Sequence, residues 1–190
     1  MKLYFTDQSP YFEKHLQQLK RQPVMGYNKQ NLVEKETSTP VNLAKPFSEI
    51  DTGFLFNYQI FPSHIMSSYT QWQAENRKME VGDTIVQQVY LPPYKNLSQK
   101  IIFGVRISEL IITPERIGFS YETLQGHVEK GVSTFTLEQA KDDQIIFNIH
   151  TFSQPGNWLT RLVAPVFSIP YQTYCTRQAL KHVKTHLIND

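Results

Sequence analysis

The chain has 190 residues, a length that suits one domain better than two. Its formal net charge is +2 and its basic residues are dispersed, which argues against binding to nucleic acid or to an anionic membrane surface. Cys175 is the only cysteine, so no intrachain disulfide can form, and a reducing, cytoplasmic location is expected. No apolar run is long enough for a signal peptide or a transmembrane helix.

The first half of the chain is predicted to contain two helices, one strand and a long irregular segment. A helix is predicted over residues 9–21, because the Ser-Pro pair at its start suits an N-cap and a first helical position. Residues 22–50 are polar and contain three prolines, which predicts a surface segment packed on the domain. The aromatic run FLFNYQIF at 54–61 predicts a strand, and apolar spacing over 63–78 predicts a helix.

The second half is predicted to form five strands and one long helix. Apolar and polar residues alternate in TIVQQVYL (84–91), KIIFGVRISELIIT (100–113), RIGFSYETL (116–124), VSTFTLEQ (132–139) and DQIIFNIHTF (143–152). Successive strands without helices between them predict an antiparallel meander. Apolar residues then recur at helical spacing from Leu159 to Leu187, which predicts an amphipathic helix, with Pro165 and Pro170 as sites of a kink.

These elements predict an α+β fold of the helix-grip type, a curved antiparallel sheet wrapped around a long C-terminal helix. The apolar stripe of that helix must be buried, and the sheet is the available surface. Residues 1–190 are expected to form a single domain, with residues 1–50 as an N-terminal extension packed on the core. A sheet and helix arranged in this way often enclose a cavity.

The segment FSYETLQGHVEKG, residues 119–131, resembles the signature of an uncharacterised DUF1990-type family found in bacteria and plants. FSQP at 152–155 and the Arg161-Leu162 pair extend the resemblance, which is best over residues 100–182. The resemblance implies the fold of the Bet v 1-like, START-like (SRPBCC) superfamily and a small apolar or mixed ligand between sheet and helix. It implies no reaction. The family usually has acidic residues and an arginine at 132–134, where this chain has Val-Ser-Thr, so a role for those charges is not transferred.

Five aromatic or hydroxyl residues are candidates for the wall of such a cavity. Period-two alternation places Phe119, Tyr121 and Thr123 on one face of their predicted strand, with Tyr121 and Thr123 as the polar groups. Tyr58 shares a face with the aromatic residues of the first predicted strand, and Phe167 lies on the apolar stripe of the last helix. Plain core packing is the alternative to ligand contact for each aromatic residue.

The stretch GHVEKG holds two further candidates, His127 and Glu129, and has two interpretations. It can be a hairpin turn in which Gly126 and Gly131 supply positive φ angles and the polar side chains bond to neighbouring backbone. It can also place His127, which titrates near neutral pH, at the cavity mouth with Glu129 orienting it. The two interpretations predict different consequences of removing the imidazole.

The remaining polar candidates are predicted to lie outside the site. Asn148 and His150 fall on the less apolar face of their strand, which predicts the outer surface of the sheet. His182 and His186 have a spacing that can bind a metal, but the HExxH pattern is absent and a solvated helix end is predicted. No phosphate-binding loop, dinucleotide glycine pattern or GxSxG elbow is present, so neither a cofactor nor a metal is expected.

The function predicted from these residues is binding of a small apolar or amphipathic molecule between the sheet and the last helix. One alternative is an enzyme that uses the same cavity, with Tyr121, His127 and Glu129 as acid–base groups. Another is an interaction module whose interior is filled by its own side chains. An enclosed volume of roughly 300 Å³ or more distinguishes binding from a filled interior. The residues specify neither the ligand nor the oligomeric state.

Overall fold

The computed structural model describes residues 2–43, 45–91, 98–155 and 169–189. Within these ranges eight strands form one sheet: β1 (Lys2–Tyr4), β2 (Val33–Val41), β3 (Met66–Thr70), β4 (Thr84–Leu91), β5 (Gln99–Ile112), β6 (Arg116–Thr123), β7 (Glu129–Gln139) and β8 (Ile145–Pro155). The α-helices of the same ranges are α1 (Phe12–Leu19), α2 (Gly53–Phe56), α3 (Gln71–Ala74) and α4 (Ile169–Asn189). Short 3₁₀ turns occur at Ser9–Tyr11, Lys29–Asn31 and Phe47–Glu49.

The sheet is an antiparallel meander with one strand added at an edge. Strands β3 to β8 pair in chain order, and β2 pairs with β8 beyond them. The short strand β1 pairs with the first residues of β5, before the part of β5 that pairs with β6. The predicted meander of five strands is therefore confirmed, and β3 precedes it.

Each face of the sheet packs against a different helix. The inner face, which meets α2 and α4, holds the main core: Phe119, Phe135, Leu137 and Phe147 of the sheet cluster with Ala179, Leu180, Val183 and Leu187 of α4. On the outer face α1 packs Phe12 and Leu16 against Val86 and Ile102 in a second cluster. A curved antiparallel sheet that holds a long C-terminal helix is the helix-grip arrangement, as predicted.

The strand predicted over 54–61 is wrong, since this segment begins with the helix α2 and continues as a turn. The Gly53 amide donates to Asp51 Oδ1 at 2.8 Å, a local bond that starts the helical turn. Phe54 and Leu55 are both buried although they are adjacent, which a strand covered on one face would not allow. The aromatic residues of this run contribute bulk to the core without forming a strand.

The helix predicted over 63–78 is also wrong, because the structure has β3 followed by the short helix α3. The apolar residues at helical spacing do not share a surface: Ile65 and Trp72 lie in the main core, while Tyr69 packs on the outer face against α1. Thr70 ends the strand and caps α3, since its Oγ1 accepts from the Gln73 amide at 3.2 Å. Both faces of the sheet are covered here, so apolar residues directed to opposite faces produced a spacing that resembles that of a helix.

The segment 22–50 was expected to be irregular, but it contains the nine-residue strand β2. Its sequence, VEKETSTPV, is polar because β2 is an edge strand with one face exposed to solvent. Pro40 is tolerated at such an edge since only one side of the strand needs its backbone donors. The segment therefore belongs to the sheet itself as well as to the surface.

Several other predictions are confirmed. Residues 141–143 form the turn between β7 and β8, and Asp143 has a φ of 62°. The outer-face register of Asn148 and His150 places them beside Glu36 and Glu34, to which they hydrogen-bond at 2.6 and 2.7 Å. The last helix is present over 169–189. The predicted kink at Pro165 lies outside the described residues.

Candidate functional site

The inner face of the sheet divides into two parts along its strands. The closed half lies toward the β7–β8 turn and has fully buried apolar side chains, with Phe119, Phe135, Leu137 and Phe147 at most 1% exposed. The open half lies toward the β6–β7 turn and has polar side chains that are partly exposed, namely Tyr121, Glu129, Ser133, Thr151 and Ser153. The same strands thus change from apolar and sealed to polar and accessible within a few residues.

The course of α4 across the sheet explains this division. Its later turns supply Val183 and Leu187, which are buried against the closed half. Near its start, Thr173 lies beside β2, where Lys35 Nζ donates to Thr173 Oγ1 at 3.2 Å. Lys35 pairs with Thr151 of the open half in the sheet register. The helix therefore passes over the edge of the open half before it seals the closed half.

Tyr58 is held in a strained backbone conformation at the boundary between the two halves. Its φ is 57°, which is rare for a bulky residue, and its side chain is 3% exposed. Gln87 Nε2 donates to Tyr58 Oη at 2.5 Å. The Tyr58 ring centroid lies 6.1 Å from that of Phe119 and 6.3 Å from that of Tyr121. These contacts hold the strained residue in place, with its hydroxyl bonded to Gln87.

A group that we call the hydroxyl cluster, Tyr58, Gln87, Tyr121 and Ser133, joins the boundary to the open half. The Tyr121 ring packs beside that of Tyr58, and Ser133 lies opposite Tyr121 in the sheet register. Burial is the main cause that raises the pKa of both tyrosines above their usual value. Both side chains are therefore neutral hydroxyls at physiological pH and act as hydrogen-bonding groups.

His127 lies in the β6–β7 turn and bonds to the neighbouring backbone, as the turn interpretation predicts. Its Nδ1 lies 3.0 Å from the Glu129 amide nitrogen, which donates to it when that ring nitrogen carries no proton. The imidazole also packs edge-on against Phe103, with 4.2 Å between ring centroids. Burial lowers the pKa of His127 to about 4, so the ring is neutral near pH 7.

Glu129 is a titratable group of the open half, and its pKa lies close to neutral pH. Burial raises the pKa of Glu129 to about 7, against the opposing effects of a hydrogen bond to Ser153 and the charge of Lys35. The carboxyl group also acts electrostatically on Tyr121, which places it within range of the hydroxyl cluster. Both protonation states of Glu129 are populated near pH 7, as general acid–base groups require.

Thr123 and Gly131 join the two strands at the base of the turn. The Gly131 amide donates to Thr123 Oγ1 at 3.1 Å, so this hydroxyl is occupied within the hairpin. Gly131 has a φ of 153°, and a Cβ at this position would overlap the Phe152 carbonyl oxygen. The close approach of β7 to β8 therefore requires a glycine at position 131, next to the open half.

The structure brings most of the predicted site residues together. Tyr58, Phe119 and Tyr121 form one aromatic group, while His127 and Glu129 are joined through the backbone of the turn. Phe167 lies outside the described residues.

Gln87, Ser133 and Ser153 belong to the same surface but were not predicted as site residues. Gln87 had a signal in the sequence, since two consecutive glutamines interrupt an apolar strand and alternation directs one of them inward.

His182 and His186 were predicted to form a solvated helix end, which is wrong, since both are partly buried. The His186 ring lies 5.1 Å from the ring of Phe54, between centroids. Burial is the main cause that lowers the pKa of His182 below its usual value. Within the described ranges, no group of three or more histidine, cysteine or acidic side chains is arranged to hold a metal ion.

A cleft of about 620 Å³ lies at the opposite end of the sheet from the open half. It is bounded by residues 41–43 and 45–47, from the end of β2 onward, and by residues 139 and 142–145 around the β7–β8 turn, and it opens broadly to solvent. It is therefore a surface cleft and differs from the sheet–helix cavity that the fold class predicts. No helix in the described part of the chain is both long and apolar enough to cross a membrane.

Solved structures with the same fold share little sequence with this chain. The hypothetical protein jhp0584 from Helicobacter pylori has a TM-score of 0.54 at 9% identity, covering 87% of this chain and 96% of its own. The KanY protein has a TM-score of 0.51 at 13% identity, covering 83% and 98%. The ginseng major latex-like protein 151 from Panax ginseng has a TM-score of 0.50 at 9% identity, covering 83% and 99%. At such identities the similarity establishes the fold alone.

Two curated relatives match short segments of the sequence. A UPF0548 protein from Deinococcus radiodurans is 34% identical over 61 residues, 32% of this chain and 31% of the relative. A UPF0548 protein from Dictyostelium discoideum is 36% identical over 58 residues, 27% of each. The matched segments thus span less than a third of these relatives. The model of the family described as domain of unknown function DUF1990 matches residues 49–182, which is most of the chain, and the protein belongs to that family.

Proposed function

We propose that the protein binds a small apolar or amphipathic molecule on the open half of the inner face, beside the start of α4. The apolar part of the ligand lies against the partly exposed ring of Tyr121, beside the buried rings of Phe103 and Tyr58. Its polar part meets Tyr121, Ser133 and Glu129. Apolar walls with a few placed polar groups are typical of small-molecule sites.

The observation that carries this proposal is the change of exposure along a single strand. On β7, Phe135 is 1% exposed, whereas Ser133, two residues away on the same face, is partly exposed. A sheet face that served only as core would place apolar, buried residues at both positions. Accessible polar side chains facing inward beside an aromatic wall are what a binding surface requires.

The proposal is tested with the neutral fluorescent probe N-phenyl-1-naphthylamine, whose emission increases in an apolar environment. Ser133→Leu adds bulk to the open half and is expected to weaken probe binding by roughly ten-fold or more, as overpacking penalties of about 1–3 kcal/mol imply. Thr134→Leu is the matched control, because Thr134 is the next residue of β7 and faces outward. Thermal unfolding of both variants establishes that each is folded.

A greater loss of probe binding in Ser133→Leu than in Thr134→Leu supports the proposed site. Equal affinity of the two variants would show that the probe binds elsewhere. A wild-type protein that binds no probe would instead favour an interaction module with a filled interior.

A second function, acid–base catalysis at the same surface, is favoured by Glu129. A carboxyl group whose pKa is about 7 can both accept and donate a proton near neutral pH. His127 is less suited to this role, because burial lowers its pKa to about 4 and its Nδ1 is engaged with the Glu129 backbone. If a screen of small molecules finds turnover, Glu129→Gln is expected to abolish it while ligand binding persists. Turnover that survives this substitution would exclude Glu129 as the acid–base group.

A further inference from the structure

One row of residues crosses the open half of the inner face, from the aromatic boundary to the edge of the sheet. We call it the polar row, and its members lie opposite one another on β6, β7, β8 and β2: Tyr121, Ser133, Thr151 and Lys35. Residues directly opposite one another on antiparallel strands point to the same face, with Cβ atoms about 5 Å apart. All four residues are partly or largely exposed. The polar row is therefore an accessible line of polar groups, roughly 14 Å long across the strands.

The two ends of the polar row differ in their chemistry. At one end the Tyr121 ring lies 5.3 Å from that of Phe135 and 6.3 Å from that of Tyr58, between centroids. At the other end Lys35 Nζ donates to Thr173 Oγ1 of α4 at 3.2 Å, which directs the ammonium group over the inner face. This bond to a neutral hydroxyl uses one of the three ammonium hydrogens and neutralises none of the charge. The row therefore leads from an aromatic surface to a cation.

The acidic residues around Lys35 lie outside the polar row. Glu34 and Glu36, its neighbours in β2, face outward and hydrogen-bond to residues of β8 on the outer face. Glu129 lies on the inner face and interacts with Lys35 electrostatically, but in the sheet register it pairs with Pro155, roughly 13 Å along the strands from the polar row. The inner side of Lys35 thus presents a positive charge to a ligand that follows the row.

We propose that the ligand is an amphipathic carboxylate that lies across the strands along the polar row, with its apolar group at Tyr121 and its carboxylate bonded to Lys35. This inference rests on the proposed function and specifies the class and orientation of its ligand. The ammonium group donates a charge-assisted hydrogen bond to the carboxylate. A single cation balances a single negative charge, which favours a carboxylate over a phosphate monoester.

The test uses three ligands that share a naphthyl group and a butyl arm: naphthylbutyrate is an anion, naphthylbutyramide is neutral and naphthylbutylamine is a cation. Their binding is measured by displacement of N-phenyl-1-naphthylamine at about pH 6, where Glu129, with a pKa of about 7, is mostly neutral. The acid is expected to bind roughly three- to five-fold more tightly than the amide, as one accessible ion pair implies. The amine is expected to bind least tightly.

Three substitutions separate the charge at the end of the row from the row itself. Lys35→Met keeps an unbranched side chain without the charge and is expected to remove the preference for acid over amide. Lys29→Met changes the net charge equally and should retain it, because Lys29 Nζ lies on the outer face, 4.5 Å from the centre of the Phe152 ring. Ser133→Leu is expected to weaken acid and amide alike, since Ser133 lies between the two ends. Thermal unfolding midpoints close to wild type show that the variants are folded.

The length of the arm tests the orientation. Naphthoate carries its carboxylate directly on the ring and is too short to reach Lys35 with its ring at Tyr121. Lys35→Met is therefore expected to weaken naphthylbutyrate more than naphthoate. Equal losses for the two acids would contradict a ligand that lies across the strands.

The outcomes distinguish this inference from the proposed function. A preference for the acid that survives Lys35→Met, or one that Lys29→Met removes equally, would overturn the carboxylate assignment. The open half would still be a binding surface if Ser133→Leu weakened all three ligands. If N-phenyl-1-naphthylamine does not bind, or binds Ser133→Leu as tightly as wild type, the proposed function fails, and the ligand class fails with it.

Discussion

The closed and open halves of the inner face occupy the same strands, yet they are built in different ways. In the closed half, Phe135 stacks on Phe119 with 5.4 Å between ring centroids, and both belong to the core cluster that includes the later turns of α4. In the open half, Tyr121 and Ser133 replace them in the next row of the sheet, and partly exposed polar side chains take the place of buried apolar ones. The comparison shows that one continuous sheet can combine a folding core with an accessible polar surface.

The largest expected difference between the halves is in the effect of truncating a side chain on β7. Phe135→Ala is expected to destabilise the fold by about 3–5 kcal/mol, because a buried aromatic ring is removed from a packed cluster. Ser133→Ala is expected to cost less than about 1 kcal/mol. Denaturant unfolding measures both, and similar losses would mean that the two halves are equally part of the core.

Backbone substitutions test whether the close approach of β7 to β8 beside the open half requires glycine at position 131. Gly131→Ala is expected to cost about 3 kcal/mol, since its Cβ would overlap the Phe152 carbonyl oxygen and its φ of 153° is unfavourable for alanine. Gly126→Ala is the control, because Gly126 has a φ of 92° but is exposed in the turn, and it should cost about 1 kcal/mol. Equal losses of stability in the two variants would show that the close approach of β7 to β8 does not restrict position 131.

Removal of the imidazole at position 127 tests the turn interpretation of GHVEKG. His127→Ala is expected to cost about 2 kcal/mol, because the Glu129 amide loses its acceptor and Phe103 loses a ring contact. His150→Ala on the outer face serves as the control and is expected to change stability by less than about 0.5 kcal/mol. Unchanged stability together with loss of a detected turnover would support the catalytic interpretation instead.

The smallest expected effect is a change in how stability depends on pH. The pKa of Glu129 is raised from 4.5 to about 7 in the fold, so its contribution is favourable below about pH 4.5 and is lost as pH rises through 7. The pKa of His127 is lowered from 6.5 to about 4, so its contribution is present above pH 6.5 and is lost as pH falls through 4. Between about pH 4.5 and 6.5 the two groups oppose each other.

Glu129→Gln removes the contribution of Glu129 to the pH dependence of stability and leaves that of His127. The stability of the variant relative to wild type is expected to increase by about 1 kcal/mol as pH rises from 4.5 to 7, because the desolvated charge is absent. Below pH 6.5 the variant should lose stability more steeply than wild type, since the effect of His127 is no longer offset. Urea unfolding at a series of pH values measures this, with Glu34→Gln on the outer face as the control. Parallel profiles would show that Glu129 is not desolvated.

The sequence predicted those parts of the fold in which local pattern and tertiary environment agree. Strands β4 to β8 alternate and carry turn residues between them, so their order and the inward direction of Tyr121 could be predicted. The segment 54–61 could not, because its aromatic residues are buried for packing reasons that no local pattern reports. Tyr58 reaches the site through a backbone conformation that its neighbours impose, and neither propensity nor periodicity indicates such strain.

The open half was only partly predictable for a related reason. Alternation identifies which residues face inward, but exposure depends on where α4 crosses the sheet, and this is a long-range property. Ser133 and Ser153 are ordinary strand residues in the sequence and become part of the site only through their neighbours. The pKa values of His127 and Glu129 likewise depend on burial, which the spacing of the two residues does not determine.

The edge strand β2 has a consequence for how the protein can be divided. The family match begins at residue 49, after β2, although β2 pairs with β8 over nine residue pairs, from Val33–Ser153 to Val41–Ile145. A fragment that began at residue 49 would keep the pairing of β8 with β7 but leave unpaired the backbone groups of β8 that face β2, and a free strand edge readily recruits another copy. We therefore expect such a fragment to self-associate in solution. The residues that the family model matches therefore omit two strands of this sheet, β1 and β2.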